Sequence, residues 1–328
     1  MRRFALTRDP MATDPGRWGH SLGNLAELVI PCLDAAAPRS VLEIGAYAGD
    51  VTRLLVDWAA GSVRIHSVDP DPQEALVALA RGHPEVELVR RTSLEAIPEL
   101  PPADAVIIDG DHNYYTVGQE LALIARQAEG DRLPLVICHD VCWPHGRRDA
   151  YYAPEVIPED QRRPAIEGSY LFPDVKGLHD GGLIYRWPAR EEGGPRNGVL
   201  TAVEDFLQGR DGLRFALVPA FFGLGVIWSR QAGYADALEE ILEPWDRNPL
   251  VARLEANRVL HLAAWQREGA RAAWCQERSA QKDALLRKLL ESGTFALAVA
   301  LSRLRQRGQP AFSREEVRRL LPESERSG

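Results

Sequence analysis

Cysteine is scarce in this chain of 328 residues: Cys32, Cys138, Cys142 and Cys275 are the only four, too few and too scattered for a disulfide framework. Cys138 and Cys142 are close in sequence, but no second pair follows and Cys138 sits in an apolar run. Packing is therefore their expected role, and no structural zinc is predicted. No apolar run reaches the ~20 residues that a bilayer span needs, and the start MRRFALTRDP lacks the apolar stretch of a signal peptide, which predicts a cytoplasmic protein. Basic residues do not dominate: 39 Lys and Arg stand against 47 Asp and Glu, a net charge of −8. That balance provides no general field for nucleic acid and leaves a small molecule as the expected partner. One further absence is local, the middle glycine of the GxGxxG turn that seats a pyrophosphate.

What stands there instead is VLEIGAYAGD, residues 41–50, with Tyr47 at the middle position. An apolar run of strand type ends in Glu43, Gly45 and Gly49, and an amphipathic segment through Leu54, Leu55 and Trp58 follows, which reads as strand, glycine turn and helix. Residues without a Cβ allow the turn and let backbone amides approach a ligand closely. The spacing ExGxxxG resembles that of class I S-adenosylmethionine (SAM) methyltransferases, and EIGAYAG is similar to the loop of catechol-type O-methyltransferases. The next strand-like run, Val63 to Val68, ends in Asp69, about 20 to 25 residues beyond the glycines, where nucleotide-binding sheets place an acid for the ribose hydroxyls. That placement suits SAM and NAD alike. The run Val86 to Arg90 leads into Thr92 and Ser93, the position that flanks adenine in the resembled family. The resemblance thus implies a SAM site made by Glu43, Gly45, Tyr47, Gly49, Asp69, Thr92, Ser93 and Asp109.

The alternation continues through Ala105 to Ile108, Tyr115 to Glu129 and Leu135 to His139, the βα repeat of a doubly wound, mostly parallel α/β sheet. Leu213 to Val218 and Leu224 to Trp228 read as a late hairpin. Class I methyltransferases carry such an antiparallel edge, so the resemblance implies a seven-stranded sheet and spans about residues 20 to 230. Before it, residues 1–38 are read as an arm and a helix. Leu22, Leu25, Val29 and Leu33 recur at helical spacing, Pro31 is expected to bend or interrupt that helix, and Trp18 and His20 are placed to cover the site. Residues 143–198 hold many prolines and glycines together with Tyr151, Tyr152, Tyr170, Phe172, Tyr185 and Trp187. A loop this long beyond a ligand-facing strand end is read as a lid over the active site. Residues 233–328 form a helical C-terminal extension beyond the methyltransferase domain of residues 39–230. Its apolar stripe Leu285, Leu286, Leu289 and Leu290 can mediate homo-oligomer formation, pack on the sheet or hold a partner protein.

Chemistry is expected where two neighbouring strands end, in AVIIDGDHNYY and LVICHDVCWP. DGDH followed by HD resembles metal-dependent O-methyltransferases of natural-product sugars and the related cephalosporin-hydroxylase-like group. That resemblance implies Asp109 and Asp140 as ligands of a divalent cation and His112 as general base. His139 stands where the family often has a second acid, so it joins Asp109 and Asp140 as a metal candidate. Imidazole suits Mn²⁺, Fe²⁺ or Zn²⁺ better than the Mg²⁺ that the resemblance implies. Asp111 either ligates or orients His112. The expected activity is SAM-dependent methylation of a hydroxyl on a natural product or glycoside. Two other readings stand beside it: metal-independent methylation of a phenol-type acceptor, and a non-catalytic SAM-binding subunit.

Overall fold

The computed structural model describes residues 20–128, 133–305 and 313–321. The expected arm up to residue 19, with Trp18, lies outside the described residues. Two compact units divide between Ala264 and Trp265.

In the first unit α1 (Ala26–Ala36) leads into β1 (Ser40–Ile44), α2 (Asp50–Ala59), β2 (Arg64–Val68), α3 (Glu74–Gly82), β3 (Val86–Val89), the single turn α4 (Ser93–Ala96), β4 (Ala105–Ile108), α5 (Tyr114–Gln127) and β5 (Leu135–Cys138). The insertion that follows carries β6 (Ala150–Tyr151), β7 (Ser169–Leu171), β8 (Leu183–Tyr185) and β9 (Trp187–Pro188). Then come α6 (Val199–Leu207), β10 (Leu213–Val218), β11 (Leu224–Ser229), α7 (Ala235–Leu242) and α8 (Pro249–Glu291), whose first residues belong to this unit. The main sheet has seven strands in the order β10-β11-β5-β4-β1-β2-β3. β3, β2, β1, β4 and β5 pair in parallel, and β11 joins β5 and β10 antiparallel. The expected seven-stranded, mostly parallel sheet with a late hairpin is the fold observed.

Alternate side chains on each strand explain the layers. Val41, Ile65, Ile107 and Ile137 pack on one face against Val29 and Leu33 of α1, Leu55 of α2 and Leu238 of α7. Leu42, Ile44, Ile108 and Val136 pack on the other against Leu121 and Ile124 of α5 and Val203 and Phe206 of α6. Since both faces are covered, the central strands read as unbroken apolar runs rather than alternating ones. Pro31 lies inside α1, which runs through it from Ala26 to Ala36; the buried residues Val29, Cys32 and Leu33 hold the helix against the sheet on both sides of the proline, and this tertiary packing overrides the break expected from sequence.

The insertion is ordered rather than structureless. β6 pairs with β9 and β7 with β8, both antiparallel. Asp149 organises its ends: it accepts hydrogen bonds from the amides of Tyr114 and Gly198, 2.8 and 2.7 Å, and from the Tyr151 hydroxyl. The second unit continues α8 and adds α9 (Gly293–Arg305) and α10 (Arg314–Arg319). There residues 268–282 are exposed around the whole helix, while Phe295 and Val299 of α9 are buried. No helix among the described residues is long and apolar enough to cross a membrane.

Glu120 of α5 is fully buried; one carboxylate oxygen accepts the Ser93 hydroxyl and the other has no partner. Burial pushes its pKa up to about 8, against the opposing Ser93 bond. An acid whose folded pKa lies above its unfolded value, ~4.3, is best accommodated protonated, so the folded state loses stability as pH rises from the unfolded value toward about 8. Glu120→Gln should remove that loss. By calorimetry the variant should gain stability relative to the parent between pH 5.5 and 8.5, on the order of a few kcal/mol; a difference that does not change with pH would show that Glu120 ionises alike in both states.

Candidate active site

The site lies at the carboxyl ends of β1, β2, β4 and β5, where a parallel sheet collects the loops that follow its strands. At the end of β1 the backbone of Gly45 is left-handed, φ +87°, and a Cβ there would lie 2.2 Å from the carbonyl oxygen of Asp109 and 2.4 Å from the Cα of Gly110. The turn after β1 and the turn after β4 are thus in backbone contact, and only glycine permits it. Gly49, also left-handed, caps the start of α2. Between them Tyr47 takes φ +40° with its ring exposed.

Asp69, at the end of β2, is buried and pre-oriented: its Oδ2 accepts from the amide of Tyr47, 2.7 Å, and its Oδ1 from that of Asp71, 2.8 Å. Glu43 lies below the turn, where its Oε2 accepts from the hydroxyls of Thr52 and Ser67, both at 2.7 Å, while its Oε1 is buried without a partner. Burial raises its pKa to about 7, opposed by those two bonds. Thr92 spends its side chain on a capping box with Glu95, and Ser93 donates to Glu120. The glycine turn, Asp69 and the orphaned oxygen of Glu43 are the groups that could hold a nucleoside with a polar tail.

β4 and β5 are neighbours, as the sheet order of the resembled family implied, and bring Asp109 and Asp140 together. Asp109, His112 and Asp140 each offer one ligand atom, all within 4.8 Å of one another. His112 Nε2 lies 3.0 Å from Asp140 Oδ2. His139 adjoins this group: its Nδ1 is 2.9 Å from Asp109 Oδ1 and 3.4 Å from Asp140 Oδ2, and its Nε2 is 2.8 Å from the carbonyl oxygen of Phe221. With an acceptor at each nitrogen the ring is a double donor and keeps no lone pair for a metal. Burial disfavours its charge, yet Asp109 and Asp140 outweigh that and hold its pKa well above the ordinary value. The same balance of burial against Asp140, Asp109 and Asp111 raises His112, and the two imidazoles, against burial, hold Asp140 well below the carboxylate range. Asp140 is also left-handed, φ +58°. Asp111 is taken up by the side chains of Asn113 and Thr116 and by the amide of Tyr152, and Asn113 caps α5 through Thr116. Asp111 therefore shapes the loop that carries His112.

Of the residues that surround this group, His145 and Arg258 were not singled out from the sequence, whereas Tyr152, Tyr185 and His20 were. His145 stacks on His112, with ring centroids 4.6 Å apart and planes at 19°, and Tyr185 of β8 meets His145 edge-on at 4.6 Å. Tyr152 tilts over His112 at 5.6 Å. His145 Nδ1 is buried without a partner, and burial pushes its pKa down to about 3, so the ring is neutral. His20 stacks on Phe222, 5.0 Å, and feels the charges of Asp140 and Arg258, which places it at the edge of the site. Arg258 of α8 pairs with Glu255 and lies over the rings of Phe221 and Phe222.

Residues 42–141 match the profile of the methyltransferase-domain family. This span is a SAM-dependent methyltransferase domain. The matched span runs from β1 to just past β5 and holds the glycine turn, Asp69 and the Asp109–His112–Asp140 group. No curated protein matches the chain. Among solved structures it is similar to an S-adenosylhomocysteine-bound methyltransferase from Podospora anserina, with 16% identity over 66% of this chain and 83% of that one and a TM-score of 0.40. It is also similar to a methyltransferase from Geobacter sulfurreducens, with 12% identity, 69% and 91% covered and a TM-score of 0.39. A third likeness is to the O-methyltransferase TomG from Streptomyces achromogenes, which is involved in tomaymycin synthesis and was solved with SAM, with 15% identity, 63% and 78% covered and a TM-score of 0.38.

Gly45→Ala should separate the β1 and β4 turns of the methyltransferase, because the new methyl meets backbone and φ is unfavourable for any Cβ. Thermal unfolding should show a loss of stability on the order of 1–3 kcal/mol, where Gly61→Ala, which meets nothing within 4 Å although its φ is also positive, isolates the dihedral cost alone. Equal losses in the two variants would mean that the backbone contact contributes nothing.

Proposed function

We propose that this methyltransferase moves the sulfonium methyl of SAM to a hydroxyl oxygen of a small acceptor, a hydroxylated natural product or glycoside, with a divalent cation held by Asp109 and Asp140. The observation that carries the reading is the convergence of two carboxylates from adjacent strands beside a glycine turn that touches one of them through its backbone. The residues fit such an ion, since the donors are a compact set of hard oxygens and one imidazole nitrogen. A bound cation would supply the positive charge that a weakly acidic hydroxyl needs as its proton leaves.

The chain's own groups do the rest. Gly45, Gly49 and Asp69 seat the cofactor, with Asp69 held by two amides so that its free lone pairs face the ribose. Asp109 belongs to both halves of the site, which sets the methyl donor against the acceptor, and such positioning can contribute ~7 to 11 kcal/mol to the barrier. Tyr152 and Tyr185 offer ring faces against which a sugar or aromatic acceptor packs. The insertion that carries both rings closes over the acceptor.

A specific observation also favours the second, metal-free reading. His112 Nε2 on Asp140 is a carboxylate-oriented imidazole, the arrangement of a general base for a phenol.

Calorimetry should show S-adenosylhomocysteine binding that is weakened about tenfold or more in Asp69→Ala. Turnover of a hydroxylated acceptor should stop in excess EDTA after dialysis and return with added divalent ion. Unchanged turnover in EDTA would leave the phenol-type reading standing; NADH binding with no response to S-adenosylhomocysteine would remove both.

A further inference from the structure

The resemblance implies His112 as a general base. In the structure a ring nitrogen of His112 and one carboxylate oxygen each of Asp109 and Asp140 lie within 4.8 Å of one another. We propose that His112 is a third ligand, and that the Asp109–His112–Asp140 set selects a borderline transition metal, Mn²⁺, Fe²⁺ or Zn²⁺, over Mg²⁺. The inference rests on the metal-assisted reading above.

Ligand atoms about 2.1 Å from an ion and at right angles to each other stand about 3 Å apart. His112 Nε2 and Asp140 Oδ2 are 3.0 Å apart, the separation of two adjacent ligands. All pairs in the set lie within 4.8 Å, against about 4.2 Å for two ligands on opposite sides of such an ion, and the side chains of Asp109 and His112, only partly buried, have room to turn inward. The three donors also come from different places, the end of β4, the loop before α5 and the end of β5. Each is braced by the fold: His112 by the ring of His145 and by its own carbonyl, which accepts the amide of Ala150 at 2.9 Å; Asp109 by His139; and Asp140 by its place at the end of β5, which pairs with β4 and β11.

Nearby competitors are committed elsewhere. Both nitrogens of His139 face oxygen acceptors. Asp111 is bonded to Asn113, Thr116 and Tyr152. What is left is two carboxylate oxygens and one imidazole nitrogen.

That donor set decides the metal class. Mg²⁺ is hard, prefers an octahedron of oxygens and gives up its waters reluctantly, whereas an imidazole nitrogen raises affinity along the series from Mn²⁺ to Zn²⁺. Tyr152 above and His145 behind are rings, so they add no oxygen ligand of carboxylate strength on the His112 side.

The test needs no acceptor. Chelator-stripped protein is titrated with Mn²⁺ and with Mg²⁺, each with S-adenosylhomocysteine present, and the Mn²⁺ complex is examined for nitrogen coupling by pulsed electron paramagnetic resonance. Mn²⁺ should bind about tenfold or more tightly than Mg²⁺. The imidazole nitrogen signal should be present in the parent and absent in His112→Gln, with Mn²⁺ affinity lowered about tenfold or more and S-adenosylhomocysteine affinity unchanged. Nitrogen coupling that persists in His112→Gln, or Mn²⁺ affinity untouched by the substitution, would return His112 to the role of base. Equal affinity for Mg²⁺ and Mn²⁺ would overturn the metal class. If no divalent ion binds while S-adenosylhomocysteine does, the metal-assisted reading itself falls and cofactor binding stands. The parent spectrum decides the ligand question even if the variant folds poorly.

Discussion

The site depends on two turns that touch through their backbones. Gly45 and the Asp109–Gly110 peptide leave no room between them for even a methyl group, so the glycine loop after β1 and the loop that carries Asp109 cannot move independently. Adjacent parallel strands impose this contact: β4 lies beside β1, with Ile44 in register with Ile108, and both chains leave the sheet at one level. Everything beyond follows from how each loop then turns. The β4 loop runs through Asp111 into a capped α5 and places His112 on the way; the β5 end takes a left-handed residue at Asp140 and places its carboxylate opposite.

Electrostatics sharpens that geometry. Asp109, Asp111 and Asp140 face His112 and His139, and no arginine or lysine pairs with these three acids among the described residues. Arg258, whose charge reaches His20 at the edge of the site, is paired with Glu255 and layered on Phe221 and Phe222. Compensation for buried carboxylates must therefore come from imidazoles, from backbone amides or from a cation supplied from outside. This explains why His139 is drawn into a position with an acceptor on either side, and why imidazoles rather than lysines populate the crevice.

Much of this was legible in the sequence, and for definite reasons. β1, β4 and β5 are short apolar runs that end in polar residues, so their parallel pairing follows from the βα alternation, while the strand order that brings Asp109 to Asp140 came from the resemblance to class I methyltransferases. Asn113 as the cap of α5 is likewise a local effect. What could not be read comes from contacts distant in sequence. The oxygen that occupies His139 Nε2 belongs to Phe221, 82 residues on; the ring that stacks on His112 is His145, beyond β5, and Tyr185 joins it from the far side of the insertion. No periodicity records such pairs. Pro31 shows the converse, a strong local signal overruled by the packing of Val29, Cys32 and Leu33. The extension expected from residue 233 also divides differently, since the first part of α8, with Val259, Leu262 and Ala263, packs with Phe222 and Leu183 in the first unit.

Asp149 ties the two ends of the insertion together. Its carboxylate holds the amide of Gly198, its own amide donates to Asn197 Oδ1 at 2.8 Å, and its carbonyl accepts from Ala189. Entry and exit of some fifty intervening residues thus meet at one buried side chain, which is also fastened to the first amide of α5. Closing a loop at its base makes the free energy of the framework only weakly sensitive to the length of what lies beyond. The segment between Asp149 and Gly198 is in this sense moored at a single post: its length beyond that base can vary without loosening the hold of Asp149 on α5 and on the start of α6.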